Sequence, residues 1–272
     1  MERKTFIYTI IMGSGGLMFL PSDTLGRTGN KDMFKIHMIY NNTGSCAGLK
    51  NAWGLAVWIE SADGITLFDT GGDPKILADN LDNLGLDPSL IKRIIISHDH
   101  WDHKGGLDMI LSRIEGQPDL YVTNNTLEAY TKHCKTANVH GVTEPREIVP
   151  GIWTTGSLET DYKLDNLQEH AIVIHDESSM IMLTGCSHPG IVKLAKRAKE
   201  IHPGKKLEFV AGGFHLMRVP ADDVREISGQ LKALDITRIA PSHCTGDKSI
   251  DIFREEWGDR FVEMNLGDRQ II

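Results

Sequence analysis

The strongest constraint in this sequence is the run Ser97-His98-Asp99-His100-Trp101-Asp102-His103-Lys104-Gly105-Gly106, which packs three histidines and two aspartates into positions 98–103. The apolar run Ile94-Ile95-Ile96 before it reads as a buried strand, and Leu107–Ile114 after it reads as a helix. Successive side chains of a strand point to opposite faces. The spacing therefore predicts His98 and His100 on one side where the strand ends, with Asp102 and His103 projecting from the turn that follows. Imidazole and carboxylate gathered in this way are the donors that a borderline divalent ion such as zinc accepts.

A chain of 272 residues that is 40% apolar can bury a full core. The net charge is -8 and no basic run or stripe stands out, which argues against nucleic acid and leaves a small molecule as the expected substrate. Cys46, Cys134, Cys186 and Cys244 have no metal-finger spacing and are too few for a disulfide framework. Residues 1–32 read as an N-terminal extension ahead of a catalytic domain at 33–272. Met1-Glu2-Arg3-Lys4, the glycine-diluted apolar run from Phe6 to Leu20 and the polar break Pro21-Ser22-Asp23-Thr24 have the layout of an export signal. Arg3-Lys4-Thr5-Phe6-Ile7 is a relaxed twin-arginine pattern, so export is expected if it acts as one and a cytoplasmic location if it does not. The apolar run is too short and too rich in glycine for a stable membrane span. Oligomeric state is not written in the sequence.

Along the chain, strands are expected at Phe34–Tyr40, Gly54–Glu60, Ile65–Phe68, Ile91–Ile96, Leu120–Val122, Glu169–Ile174, Met180–Thr184, Leu207–Val210, Ile236–Ala240 and Phe261–Asn265. Helices are expected at Pro74–Leu84, between Asp73 as N-cap and Gly85 as C-cap, and at Thr126–Lys132, Ile191–Ile201, Asp222–Leu234 and Ile250–Trp257. The stretch from His133 to Leu164 reads as short strands mixed with loops that cover the site. One pattern recurs: a buried strand, then a polar residue or histidine with glycine nearby, at Asp69, His98, His188, His215 and His243. In layered folds ligand sites gather at one end of the strands, so these positions are expected to share one pocket.

Three of these features resemble the metallo-β-lactamase superfamily: Asp69 in Phe68-Asp69-Thr70-Gly71, the His98-x-His100-x-Asp102-His103 signature, and the later His243. The resemblance covers residues 34–272. It implies an α+β fold, a four-layer αββα sandwich, with two divalent metal ions at one edge. Those ions are usually Zn2+, with Fe2+, Mn2+ or Mg2+ as alternatives. It further implies His98 and His100 on the first ion, Asp102, His103 and His243 on the second, and Asp69 behind the cluster orienting it. The chain departs from the family at Gly185-Cys186-Ser187-His188. Cys186 stands where an aspartate bridging both ions is expected, either as a thiolate bridge or as a small core residue. His188 is the expected remaining histidine ligand, with His170 as the competing candidate.

Thr184–Ile191, Gly212-Gly213-Phe214-His215-Leu216 and His243-Cys244-Thr245-Gly246 are similar to a narrower group. That group contains the archaeal dihydropterin-ribofuranosylaminobenzene phosphate synthase of methanopterin biosynthesis. The activity implied is a binuclear hydrolase that aims a metal-activated water at a small-molecule ester, lactone, amide or phosphoester. Asp102 would ligate one ion and orient the water, and His215 would either donate to an oxyanion or phosphate or simply pack. The alternative is a transferase like the synthase, displacing diphosphate from a pterin methyl diphosphate. Asn51-Ala52-Trp53-Gly54 departs from the Glu-His-Gly-like entry expected before the second strand.

Overall fold

The computed structural model describes residues 34–161 and 166–271. The expected extension and export signal at 1–32 lie outside the described residues. The first half of the chain runs β1 (Lys35–Tyr40), β2 (Ala56–Ser61), β3 (Gly64–Phe68), α1 (Pro74–Leu84), β4 (Ile91–Ile95), α2 (Trp101–Lys104), α3 (Leu107–Arg113), β5 (Asp119–Thr123), α4 (Leu127–His133) and β6 (Asn138–Val142). The second half runs β7 (Arg146–Val149), β8 (Ile152–Thr154), β9 (Leu158–Glu159), β10 (Gln168–Glu169), β11 (Ile172–His175), β12 (Ser179–Thr184), α5 (Ile191–Ile201), β13 (Lys206–Gly213), α6 (Ala221–Ala233), β14 (Arg238–Ser242), α7 (Asp247–Trp257) and β15 (Arg269–Ile271).

Among the described residues these strands form a seven-stranded sheet, β15-β1-β2-β3-β4-β5-β6, and a six-stranded sheet, β14-β13-β12-β11-β8-β7, beside the small β9-β10 pair. The two-residue period of a strand sorts the layers. Ile36, Met38, Val57 and Ile59 of the first sheet meet Ile172, Ile174, Ile181 and Leu183 of the second in one core. The alternate residues Ile39, Trp58 and Leu67 pack outward on Leu77, Leu81, Ile110 and Tyr130 of α1, α3 and α4. Val173, Met180 and Met182 pack outward on Leu194, Ala198, Val224 and Phe253 of α5, α6 and α7. Both faces of each sheet are therefore buried, which is why strands such as Ile94–Ile96 read as unbroken apolar runs. The result is the expected four-layer αββα sandwich.

The cap residues of α1 act as read: Asp73 Oδ1 accepts from the backbone N–H groups of Lys75 and Ile76 at 2.8 and 3.0 Å, and Gly85 closes the helix at φ +67°. The expected strand at Phe261–Asn265 is corrected. Phe261 makes a single bridge to Ile239, and the chain then turns through Asn265–Asp268, with the Asn265 N–H bonded to Asp268 Oδ2 at 2.7 Å. The strand that closes the sheet is β15, antiparallel to β1. Within 133–164 the expected short strands are present: β6 edges the first sheet, β7 and β8 lie at one side of the second, and β9 pairs with β10. Among the described residues no helix is long and apolar enough to cross a membrane.

Candidate metal centre

Neighbouring strands that end in candidate residues run parallel within each sheet: β3 beside β4 in the first, and β12, β13 and β14 in the second. Their C-terminal ends therefore deliver Asp69, His98, Cys186, His188, His215 and His243 to one edge of the sandwich. Four non-glycine residues there hold left-handed backbone: Asp69 at φ +58°, Ser187 at +63°, His215 at +52° and His243 at +52°. Such conformations cost free energy and persist where the surroundings hold them. The loops of the two sheets nearly touch, for a Cβ on Gly185 would sit 2.2 Å from Ser97 Oγ.

The first-sheet half is organised by Asp69, which is fully buried. Its Oδ1 accepts the Ser97 N–H at 2.7 Å, and its Oδ2 accepts Ser97 Oγ–H at 2.8 Å and His103 Nδ1–H at 2.7 Å. Capture of the Ser97 amide ends the strand at Ile95, earlier than expected. His98 and His100 consequently face each other from the bend after the strand, not along its pleat, with Nε2 to Nδ1 at 3.2 Å. Asp102 and His103 lie on the single turn α2.

The hydrogen bonds also assign the imidazole tautomers. Ser97 Oγ donates its one proton to Asp69, so it accepts from His98 Nδ1 at 2.9 Å and leaves His98 Nε2 as a lone pair. Asp69 does the same for His103, whose Nε2 stands 3.2 Å from Cys186 Sγ. Asn42 Oδ1 accepts His243 Nδ1–H at 2.6 Å, and His243 Nε2 faces Asp102 Oδ2 at 3.3 Å. Three outer nitrogens are thus held as donors while three inner nitrogens converge.

The donor atoms include two triads that share no residue, His98-His100-His188 and Asp102-His103-His243, each with its atoms within 4.8 Å of one another, and Cys186, His188 and His215 also lie within that span. Cys186 lies between them, within the same span of His98 and His103 on one side and of His243 and Cys244 on the other. A set of ring nitrogens, a thiol and a carboxylate fits one or two borderline divalent ions, which would displace any proton from the inner nitrogens. Burial, with the neighbouring histidines, pushes His98 well below the usual imidazole range and His188 down to about 2. Burial opposes a proton on His103, yet the Asp69 carboxylate overrides it and holds that imidazole up at about 9. Burial works against ionised Asp102, but His243 and His103 hold its carboxyl below the usual range.

His170 is not part of the cluster. Its Nδ1 meets Thr154 Oγ1 at 2.7 Å and its Nε2 donates to the Ile96 carbonyl at 3.0 Å, so both nitrogens are engaged in the core between the sheets. His215 is exposed at the rim, with its ring 4.2 Å from that of His188. Trp53 sets its ring 4.9 Å from His243, and Trp101 lies over Gly72, largely exposed.

Sequence reading missed two supports. Asn42 sits in a polar loop with nothing to mark it. Glu169, fully buried, collects three consecutive backbone N–H groups: Cys186 and Ser187 on Oε1, both at 2.8 Å, and His188 on Oε2 at 2.7 Å. The available signal was an acidic residue at the mouth of an apolar strand, which is rarely buried unless partnered.

Residues 54–190 match the model of the metallo-beta-lactamase superfamily. The chain is 30% identical over 243 residues to the 7,8-dihydropterin-6-methyl-4-(beta-D-ribofuranosyl)-aminobenzene-5'-phosphate synthase of Methanocaldococcus jannaschii, a match covering 74% of this chain and 82% of that one. It is 26% identical over 223 residues to an uncharacterized protein of the same archaeon, covering 72% and 85%. Among solved structures it is similar to a metal-dependent hydrolase of the beta-lactamase superfamily, with a TM-score of 0.73 and 25% identity over 87% of this chain and 98% of that one. From its sequence match, its two facing sheets and the histidine cluster at their edge, the chain belongs to the metallo-beta-lactamase superfamily.

Proposed function

We propose that this chain is a binuclear metal-dependent hydrolase of a small-molecule ester, lactone, amide or phosphoester. The observation that carries the reading is the pair of donor triads meeting at Cys186. In this reading His98, His100 and His188 hold one ion, Asp102, His103 and His243 hold the other, and the Cys186 thiol stands between them. Zinc suits mixed imidazole and thiolate donors best. Bound ions of this kind lower the pKa of water toward about 7 and polarise the bond under attack.

The chain's own residues do the rest. Asp69 fixes His103 directly and His98 through Ser97, and Asn42 fixes His243. Asp102, kept ionised, would orient the attacking water by accepting a hydrogen bond from it. His215, at the rim beside His188, is placed to hand a proton to the leaving atom.

The test is elemental analysis of the purified protein beside His98→Ala and Cys186→Ala, with phosphodiester, lactone and β-lactam substrates. The expected result is close to two ions per chain, lost together with hydrolysis in His98→Ala. No metal in protein purified without chelator would overturn the reading. A second reading, transferase chemistry, is favoured by the 30% identity to the archaeal synthase. It predicts diphosphate release from a pterin methyl diphosphate only when an aryl amine is added, and no hydrolysis of the generic substrates.

A further inference from the structure

A cavity of about 460 Å³ opens directly beside the donor cluster, and His188 and His215 form part of its wall. Its far side is the start of α5, which contributes Lys193 and Lys196. Residues three apart on a helix share a face, so both ammonium groups border the same space. Both lysines are exposed, and among the described residues neither has an acidic partner within ion-pair distance. Their neighbours on α5 are engaged elsewhere: Arg197 with Glu200 at 3.8 Å, and Lys199 with the Leu234 carbonyl at 2.7 Å.

The cavity's lining contains no carboxylate. That is unusual in a chain with 37 acidic residues and a net charge of -8. Three other surface cavities among the described residues do present acid: Asp63, Asp176 and Glu177 in one, Asp82 and Asp87 in another, Asp99 and Asp108 in a third. Lysines without counter-charges at the mouth of a concave site raise the local concentration of anions. The backbone N–H groups of the first turn of α5 add to the same field. Lysine binds phosphoryl groups as a point charge. Ile191, Val192, Phe214, Leu216 and Ile227 give the lining an apolar part, beside the polar Ser187 and Gln230, and would face the organic part of the same ligand.

We propose that this cavity is the subsite for an anionic phosphoryl group of the substrate, phosphate or diphosphate, held by Lys193 and Lys196 with His215 between them and the reacting centre. The assignment rests on the metal-dependent reading for its placement beside the reaction, and it narrows the substrate to a phosphorylated small molecule. The lysines are binding residues; they take no part in bond breaking.

The experiment titrates inorganic phosphate and, separately, diphosphate into the metal-loaded protein by calorimetry. It compares wild type with the double variants Lys193→Ala/Lys196→Ala and Lys193→Arg/Lys196→Arg, and measures metal content and Tm of each sample. The expected result is binding about tenfold weaker in the alanine pair, most of it restored in the arginine pair, with metal content and Tm unchanged. Equal affinity in all three proteins would overturn the subsite, because the ions alone would then hold the anion. Absence of binding in wild type would overturn it too. Repeating the titration on metal-free protein separates this proposal from the one on which it rests. A chain that takes up no metal yet binds diphosphate through the lysines keeps the subsite and loses the hydrolase reading.

Discussion

Two fully buried carboxylates support the two halves of the centre, and they do so differently. Asp69 spends one oxygen on the Ser97 amide and the other on side chains, and through these it fixes the tautomer of His103 and, by way of Ser97 Oγ, that of His98. Glu169 spends its oxygens on backbone: it gathers the amides of Cys186, Ser187 and His188 and so shapes the loop without touching a donor atom. One carboxylate sets which lone pairs point inward; the other sets where a loop lies. Asp69 serves residues of both triads, since His98 belongs to one and His103 to the other. Glu169 serves only the loop that carries Cys186 and His188. The two halves of the centre should therefore fail in different ways.

The largest effect is expected from Asp69→Asn. The amide cannot accept from both Ser97 and His103 with the strength of a carboxylate, and it leaves a buried imidazole without its anion. Breaking such a buried pair costs about 3–5 kcal/mol, and removing a partner that orients a ligand costs about 10–100-fold in metal affinity. On the binuclear proposal, elemental analysis should show depletion of both ions, and denaturant titration a matching fall in stability. Glu169→Gln comes next. It leaves amides of the 186–188 loop poorly matched, at about 1–3 kcal/mol. In cobalt-substituted protein the sulfur-to-cobalt charge-transfer band should fade, while the triad of Asp102, His103 and His243 keeps its ion. Loss of both ions in Glu169→Gln would erase the distinction between the two carboxylates.

The same comparison shows what could be read from the residues alone. The first-sheet half is compressed into positions 98–103, with Asp69 one strand away, and a local signal of that density is visible without coordinates. The second-sheet half is assembled from β12, β13 and β14, whose ends are far apart in sequence. There each of His188, His215 and His243 looks like any histidine at a strand end, and only the recurrence of the pattern marks them. Glu169 escaped because its partners are backbone amides, which have no sequence signature. His170 and Glu169 are neighbours that divide the work: the histidine ties β8 to the end of β4, and the glutamate holds the donor loop. At the C-terminus, Phe261–Asn265 is apolar enough to resemble a strand, but it makes a single bridge, Phe261 to Ile239 at the edge of the second sheet, and the last strand is β15, beside β1 in the first. Three residues at a sheet edge carry too little pattern to compete with it.

Proton linkage separates these groups again. Burial, opposed by the three backbone amides, pushes the Glu169 carboxyl up to about 7 from its usual 4.5. The folded state therefore holds this proton more tightly than the unfolded chain. The stabilisation is complete below about pH 4.5 and is lost as pH rises through about 7. His170 behaves in the opposite sense. Burial, against its bond to the Ile96 carbonyl, lowers it to about 4 from 6.5, so its neutral form stabilises the fold above pH 6.5 and that stability is lost as pH falls toward 4. In metal-free protein, Glu169→Gln should therefore cost more at pH 5 than at pH 8, as read by denaturant midpoints. A cost that stays level from pH 5 to pH 8 would mean that Glu169 is ionised throughout this range.

Asn42 offers the gentlest variation on the same theme. It does for His243 what Asp69 does for His103, taking the outer ring proton at 2.6 Å, but it is neutral and only part-buried. A neutral hydrogen bond is worth about 1 kcal/mol, where one to a charged group is worth about 1.5–3 kcal/mol. Asn42→Ala should therefore cost about 1 kcal/mol in stability and weaken only the ion shared by Asp102, His103 and His243, toward the tenfold end of the range for such partners. Asn42→Asp sharpens the point, since it places a carboxylate where the amide stands and should strengthen retention of that ion. If Asn42→Ala stripped both ions as Asp69→Asn does, the charge on Asp69 would not be what sets it apart. The centre would then depend on each ring being held, whatever holds it.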